Sequence, residues 1–347
     1  MVNPVLVVLR RGGHVESAHR GAVAVVDADG AVVASIGDTL QPIFPRSAVK
    51  ALQALPLVAS GAADRLALTD EELALACASH GGEALHVRIA ASMLAKAGLD
   101  ATALECGAHW PSHEPSAHAL AMRHELPSAL HNNCSGKHAG FLCVAGLMAG
   151  GADVRAFARG YVAPRHPLMR EVTAALAAAT GCDRLERDAP RGIDGCSIPT
   201  FGIPLRRLAL AFARFGSGIG LSDAHARAAQ RLRAAVARAP AAVAGSGRFD
   251  TRVIERLGER VFCKVGAEGV YGAALPALGF GAAIKIDDGN NARAAEVAMA
   301  ALVETFVALD DDERVFMRGF SDLPLHNWSG IEVGRLAAAD TLRAIAD

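Results

Sequence analysis

The 347-residue sequence predicts an α+β fold: one antiparallel sheet built from both termini, flanking helices, and a helical region inserted at roughly residues 65–240. Three features point there. Strand-like runs are confined to the first forty residues and to 261–286, helical periodicity fills the stretch between them, and a two- or three-stranded meander cannot bury its face alone. The two ends therefore need one another. With no internal repeat and no low-complexity linker beyond alanine richness, the whole chain 1–347 reads as one domain.

Taken in order, Val5 to Arg10, Ala22 to Asp27 and Ala31 to Ile36 alternate or cluster β-formers, and Asp27-Ala28-Asp29-Gly30 supplies a hairpin turn. Helical patterning begins after Arg46 with Ala48 to Ala59. It continues with Asp70 to Ala78 behind a Thr69/Glu72 capping box, then Glu83 to Ala97 stopped by Gly98, and Ser135 to Ala149 stopped by Gly150-Gly151. His166 to Thr180 ends at Gly181, Leu205 to Phe215 ends at Gly216, and Asp223 to Arg238 runs from a Ser222 cap to Pro240. Strands return at Val261 to Val265, Gly269 to Ala274 and Leu278 to Ile286, and Ala292 to Leu309 reads as a long closing helix.

Composition bounds the function. A chain with 52% hydrophobic and 20% charged residues buries a core and is not disordered. A formal net charge of −1 removes the basic excess that nucleic acid or an anionic membrane would attract. The amino terminus lacks the features of a secretory signal, and Gly269 to Ile284, the longest stretch free of acidic and basic residues, is short of the ~18 residues of a membrane span. Seven scattered cysteines suit reduced thiols in a cytoplasmic enzyme. Thirty Arg accompany only five Lys: Lys50, Lys96, Lys137, Lys264 and Lys285. Where Arg serves almost everywhere, a retained Lys is a candidate for losing its proton near neutral pH, which guanidinium does not do.

Pro45-Arg46-Ser47-Ala48-Val49-Lys50 opens an apolar helix and sets Ser47 and Lys50 on one turn, so that a neutral Lys50 amine is in reach of the Ser47 hydroxyl. Composition alone supplies about 0.23 matches to this spacing, and a serine cap beside a solvated lysine is the bland alternative. A second unit, Cys263-Lys264-Val265-Gly266-Ala267-Glu268-Gly269, places Lys264 on a strand. Between them lies Ser79-His80-Gly81-Gly82, in the break between two helices. Ser-x-x-Lys, a second hydroxyl and a late Lys-x-Gly strand follow the order of the serine β-lactamase signature. A third unit, His131-Asn132-Asn133-Cys134-Ser135-Gly136-Lys137-His138-Ala139-Gly140, crowds a thiol, an ammonium and an imidazole within five residues, with Asp194-Gly195-Cys196 available later. Thiolates and imidazoles are ordinary zinc ligands, and lysine binds only when neutral. His113-Glu114-Pro115-Ser116-Ala117-His118 fails as a zinc-protease helix, because its spacing is i+5 and Pro115 is expected to interrupt the helix. His109, His113, His118 and His124 read as surface or lid residues of a loop.

Together these units resemble the bacterial L-asparaginase II (class 3) family, whose fold is similar to that of serine β-lactamases. The resemblance implies two Ser-Lys pairs, Ser47 with Lys50 and Ser79 with Lys264, and a zinc ion held by Cys134, Lys137 and Cys196. It also locates the substrate near Arg46, His138 and Asp194, the expected substrate contacts; by charge, Arg46 is assigned to the α-carboxylate and Asp194 to the α-ammonium. The expected activity is hydrolysis of L-asparagine to L-aspartate and ammonia by a cytoplasmic homodimer. Bringing Lys50 to a pKa of about 7–8 requires roughly 3–5 kcal/mol of differential destabilisation, within the reach of burial beside a second cation. The family often has Gly after the last cysteine; this chain has Ser197. Rival readings are another Ser-Lys amidohydrolase or peptidase, and a non-catalytic zinc or amino-acid binding protein.

Overall fold

A computed structural model describes residues 2–346 and shows an α+β fold. The chain divides into two compact units. One comprises Met1–Ala48, Gly202–Ser217 and Arg260–Asp347, the other Val49–Phe201 and Gly218–Glu259.

The first unit holds the sheet. Its strands are β1 (Val5–Arg11), β2 (His14–Asp27), β3 (Val32–Ile36), β4 (Phe262–Val265), β5 (Val270–Leu275), β6 (Phe280–Ile286), β7 (Asp322–His326) and β8 (Glu332–Ala338). They run in the order β7-β8-β1-β2-β6-β5-β4, with β3 also on β2, and every pairing is antiparallel. Both termini thus share one sheet, as expected. The long strand β2 makes this possible. Its first half pairs with β1 through bulges, and its second half pairs with β3 and β6. That first half is exposed and polar, which is why its residues gave no strand signal.

Within its own unit the sheet is flanked by helices. Leu205–Ser217 packs on β2, β5 and β6, while Phe280 turns to the opposite face of β6 and its ring meets Phe306 of Glu296–Phe306 at 6.4 Å. The long closing helix expected at 292–309 begins as a π-turn at Asn291–Ala295 and stops at Phe306. Beyond it lie a capped helix, Asp311–Ser321, and the β7–β8 hairpin, neither of them among the expected elements.

The second unit is helical, built chiefly from Asp70–Ala76, Ala84–Lys96, Ser135–Met148, Pro167–Thr180 and Asp223–Arg238. The Thr69/Glu72 capping box and the Ser222 cap both form. The helix expected at 48–59 is broken into a 3-10 turn at Arg46–Val49 followed by Lys50–Gln53 and Leu55–Ala59, with Pro56 in the first turn of the last piece. The 109–124 region is not all loop. Glu114–Met122 is helical, because Pro115 sits in the first turn, where its missing N–H removes no helical hydrogen bond. No helix among the described residues is long and apolar enough to cross a membrane.

The close seat of Leu205–Ser217 on the sheet depends on Gly281, where an added Cβ would come within 2.1 Å of the Ala209 carbonyl and 2.2 Å of the Ala213 nitrogen. Gly281→Ala should therefore lower the unfolding free energy by about 2 kcal/mol or more. Gly319→Ala, on an open stretch of helix with nothing within 4 Å, should instead raise it by about 0.5–1 kcal/mol. Urea titration of the two variants measures both signs.

Candidate active site

The candidate residues divide between the units. Arg46, Ser47 and Lys264 belong to the sheet unit; Lys50, Ser79, Cys134, Lys137, His138, Asp194 and Cys196 belong to the helical one. In the sheet unit, Arg46 and Ser47 are half-buried in the 3-10 turn, and Arg46 is held at φ 49°. Lys264 lies fully buried on β4 opposite Gly272, with Nζ donating to the Val265 carbonyl at 2.8 Å. The loop after it is secured by Lys285, whose Nζ donates to the Glu268 and Ile286 carbonyls, and by Asn291 Nδ2, which donates to the Gly266 carbonyl.

In the helical unit, Lys50 Nζ donates to Ser79 Oγ at 2.8 Å and to the Asn133 carbonyl at 3.1 Å. The resemblance had paired Ser79 with Lys264; within the helical unit the amine on Ser79 is that of Lys50. Ser79 is positioned by backbone pairing of its loop with Val243 and Ala244. Cys134 and Lys137 lie at the start of Ser135–Met148. That helix approaches Asp70–Ala76 closely because position 136 is glycine; a Cβ there would meet the Leu75 carbonyl at 2.3 Å. Cys196 arrives on a tight turn between the paired strands Arg191–Ile193 and Pro199–Phe201. Ser197 in that turn has φ 76°, a left-handed conformation that glycine adopts without strain, so the departure from the family pattern carries a conformational cost.

Lys137 Nζ donates to Cys196 Sγ at 3.0 Å, and the Cys196 thiol donates to Asp194 Oδ2 at 3.7 Å. The neighbouring Cys196 thiol, with the Lys50 and Lys137 charges, holds Cys134 well below the ordinary thiol range despite burial, whereas Cys196 itself is pushed up. Cys106 and Cys143, buried without such partners, are pushed up to about 12. Burial works against the Lys137 ammonium, but the two sulfurs outweigh it and raise its pKa. Lys50 goes the other way: burial drives its pKa down, the Cys134 sulfur opposes, and the Lys137 charge adds to the fall. Among the described residues no disulfide joins any of the seven cysteines.

Among the described residues no cluster of three or more His, Cys, Asp or Glu side chains is placed to hold a metal. The convergent donors are two sulfurs and one amine, buried together, and that set fits Zn²⁺ chemically once Lys137 releases its proton.

Several histidines escaped sequence reasoning. His80, beside Ser79, accepts the Gly82 N–H at Nδ1 and reaches Ser135 Oγ with Nε2 at 3.0 Å. Ser135 in turn donates to the Leu130 carbonyl, so His80 is the donor to Ser135 and is neutral. His86 stacks on it at 4.6 Å, accepting from Glu83 N–H and donating to the Ala241 carbonyl. His109, expected at the surface, accepts the Asn133 N–H and so helps shape the turn whose carbonyl receives Lys50. The crowding of His and Gly around Ser79 was the available signal for the first of these.

The sequence model of the L-asparaginase II family matches residues 7–338, nearly the whole chain, and the chain belongs to that family. No curated protein matches it.

Burial drives His80 well below 6.5 and His86 below it as well, so the unfolded chain binds these protons first. Their contribution to stability is complete above about pH 6.5 and is lost as pH falls through the folded-state values, at up to about 1.4 kcal/mol per pH unit for each ring. Thermal midpoints should therefore fall between pH 7 and pH 5. His86→Gln should remove about one proton's share of that slope, and an unchanged slope would exclude His86 as a source of it.

Proposed function

We propose that this family member hydrolyses the side-chain amide of L-asparagine to L-aspartate and ammonia through an acyl-enzyme, and that its fold is similar to that of serine β-lactamases. The observation that carries the reading is Lys50: fully buried, driven toward its neutral form, and hydrogen-bonded to a serine hydroxyl. A neutral lysine keeps two N–H groups for Ser79 Oγ and the Asn133 carbonyl and retains a lone pair that accepts a proton.

In this mechanism Lys50 takes the proton of Ser47 as Ser47 Oγ attacks the amide carbon. The tetrahedral intermediate collapses as the C–N bond breaks, and the proton passes from Lys50 through Ser79 to the departing nitrogen, which leaves as ammonia. Lys264 supports the Ser79 relay. Water, giving its proton to the same amine, then attacks the Ser47 ester, and the amine returns that proton to Ser47 Oγ as the C–O bond breaks to release aspartate. Arg46 holds the α-carboxylate, Asp194 the α-ammonium, and His138 a further substrate oxygen. Cys134, Lys137 and Cys196 would hold Zn²⁺, which in that sulfur-rich set would organise substrate binding and not generate hydroxide. A second reading has specific support: because Lys50 is bonded to Ser79, Ser79 is the alternative nucleophile.

Ammonia release should be rapid with asparagine and slow or absent with glutamine, and ring opening of a β-lactam reporter should be slow or absent. Lys50→Arg keeps the charge but cannot act as base, and should abolish turnover; near-normal turnover would overturn the role of Lys50. Ser47→Ala should lose on the order of 10⁶ in turnover, and mass spectrometry of a trapped acyl-enzyme should find the adduct on Ser47. An adduct on Ser79 selects the second reading.

Zinc titration by calorimetry in buffers of different ionisation enthalpy should show proton release, because Lys137 and Cys196 must deprotonate to bind. Cys134→Ser should remove bound metal and raise KM; unchanged metal content would refute the zinc assignment.

A further inference from the structure

His138 is fully buried on the helix Ser135–Met148, with its ring edge-on to Tyr161 and tilted against Phe141. Its Nδ1 lies 2.6 Å from Tyr161 Oη, and Oη already accepts the Glu105 backbone N–H at 3.1 Å. Tyr161 is itself fully buried. A phenol has one proton to donate, and with Oη already occupied as an acceptor, His138 Nδ1 is the partner in reach. An imidazole that accepts at Nδ1 carries its own proton on Nε2. His138 Nε2 is buried and, among the described residues, has no hydrogen-bond partner. A buried donor without a partner costs about 1–3 kcal/mol, a cost removed if an acceptor from outside the chain arrives there.

The brace around Tyr161 is reciprocal. The Glu105 N–H donates to Tyr161 Oη, and the Gly160 N–H donates to the Glu105 carboxylate at 2.7 Å. The phenol is therefore fixed from two sides while it sets the ring of His138.

We propose that Tyr161 is a positioning residue: through its bond to Nδ1 it keeps His138 an obligate Nε2–H donor, and that donor meets a carboxylate or amide oxygen of the amino-acid substrate. The inference rests on the reading of His138 as a substrate contact and adds to it the tautomer and the residue that sets it. Glutamine at position 138 would offer a side-chain N–H near the place of Nε2 without needing a tautomer partner, which makes a double-mutant cycle informative.

The test has two arms. In the first, ¹⁵N-histidine NMR of the wild-type protein, with the His138 signal assigned by its absence from His138→Gln, should show the Nε2–H tautomer; an Nδ1–H tautomer overturns the proposal. In the second, Tyr161→Phe should raise KM for asparagine about tenfold with kcat changed less than threefold, and should change KM less than twofold in the His138→Gln background. Equal effects in both backgrounds would make Tyr161 merely structural and overturn the proposal. If His138→Ala leaves KM unchanged, the substrate contact itself falls and the proposal with it. If the wild-type protein releases no ammonia from asparagine, the functional reading fails, while the tautomer measurement still decides the role of Tyr161.

Discussion

Charge balance in a dry interior governs the candidate site. The helical unit buries two lysines, Lys50 and Lys137, beside two cysteines, and unbalanced charges cannot be kept there without several kcal/mol of desolvation cost each. The Cys134 and Cys196 sulfurs together raise the pKa of Lys137, whose Nζ donates to Cys196 Sγ. At Lys50 burial prevails over the opposing Cys134 sulfur, and its amine moves toward neutrality. The same arrangement leaves an amine moved toward neutrality next to a serine hydroxyl.

The scarcity of lysine now has a structural content. Lys50, Lys137 and Lys264 are fully buried, where a slender ammonium or amine fits and a planar guanidinium with five donors would leave hydrogens unpaired. The remaining two serve as point donors in confined places. Lys96 binds the buried Glu72 carboxylate and the Ala67 carbonyl, which secures a helix start. Lys285 holds two carbonyls of the turn that follows Lys264.

Strain collects near the same segments. Of the non-glycine residues with positive φ, Arg46 adjoins the proposed nucleophile, Ser197 follows Cys196, and Glu268 lies in the loop after Lys264. Such conformations cost about 1–3 kcal/mol and persist where surrounding contacts over-determine them, as at ligand clamps and active sites. Here those contacts are visible. Ser197 N–H donates to the Asp194 carbonyl, and Lys285 pins the Glu268 carbonyl.

Much of the fold was legible because its determinants are local. The Asp27–Gly30 turn, the Thr69/Glu72 box and the span Asp223–Arg238 each follow from residues within one or two turns of chain. The exposed half of β2 and the β7–β8 hairpin were not legible. Their stability comes from backbone pairing, β2 and β8 with β1 at 3 to 331 residues' separation and β7 with β8, and their side chains are too exposed to carry a hydrophobic period. The candidate site divides in the same way. Residue types and order were enough to nominate Ser47, Lys50, Ser79, Cys134, Lys137, Cys196 and Lys264, since reactive groups and rare lysines stand out as composition. That Lys50 bonds to Ser79, that the Cys134 and Cys196 thiols are shifted in opposite directions, and that Tyr161 bonds to His138 were decided by tertiary structure alone. Hydrogen bonding and desolvation depend on neighbours in space, and those neighbours lie 23 to 62 residues apart along the chain.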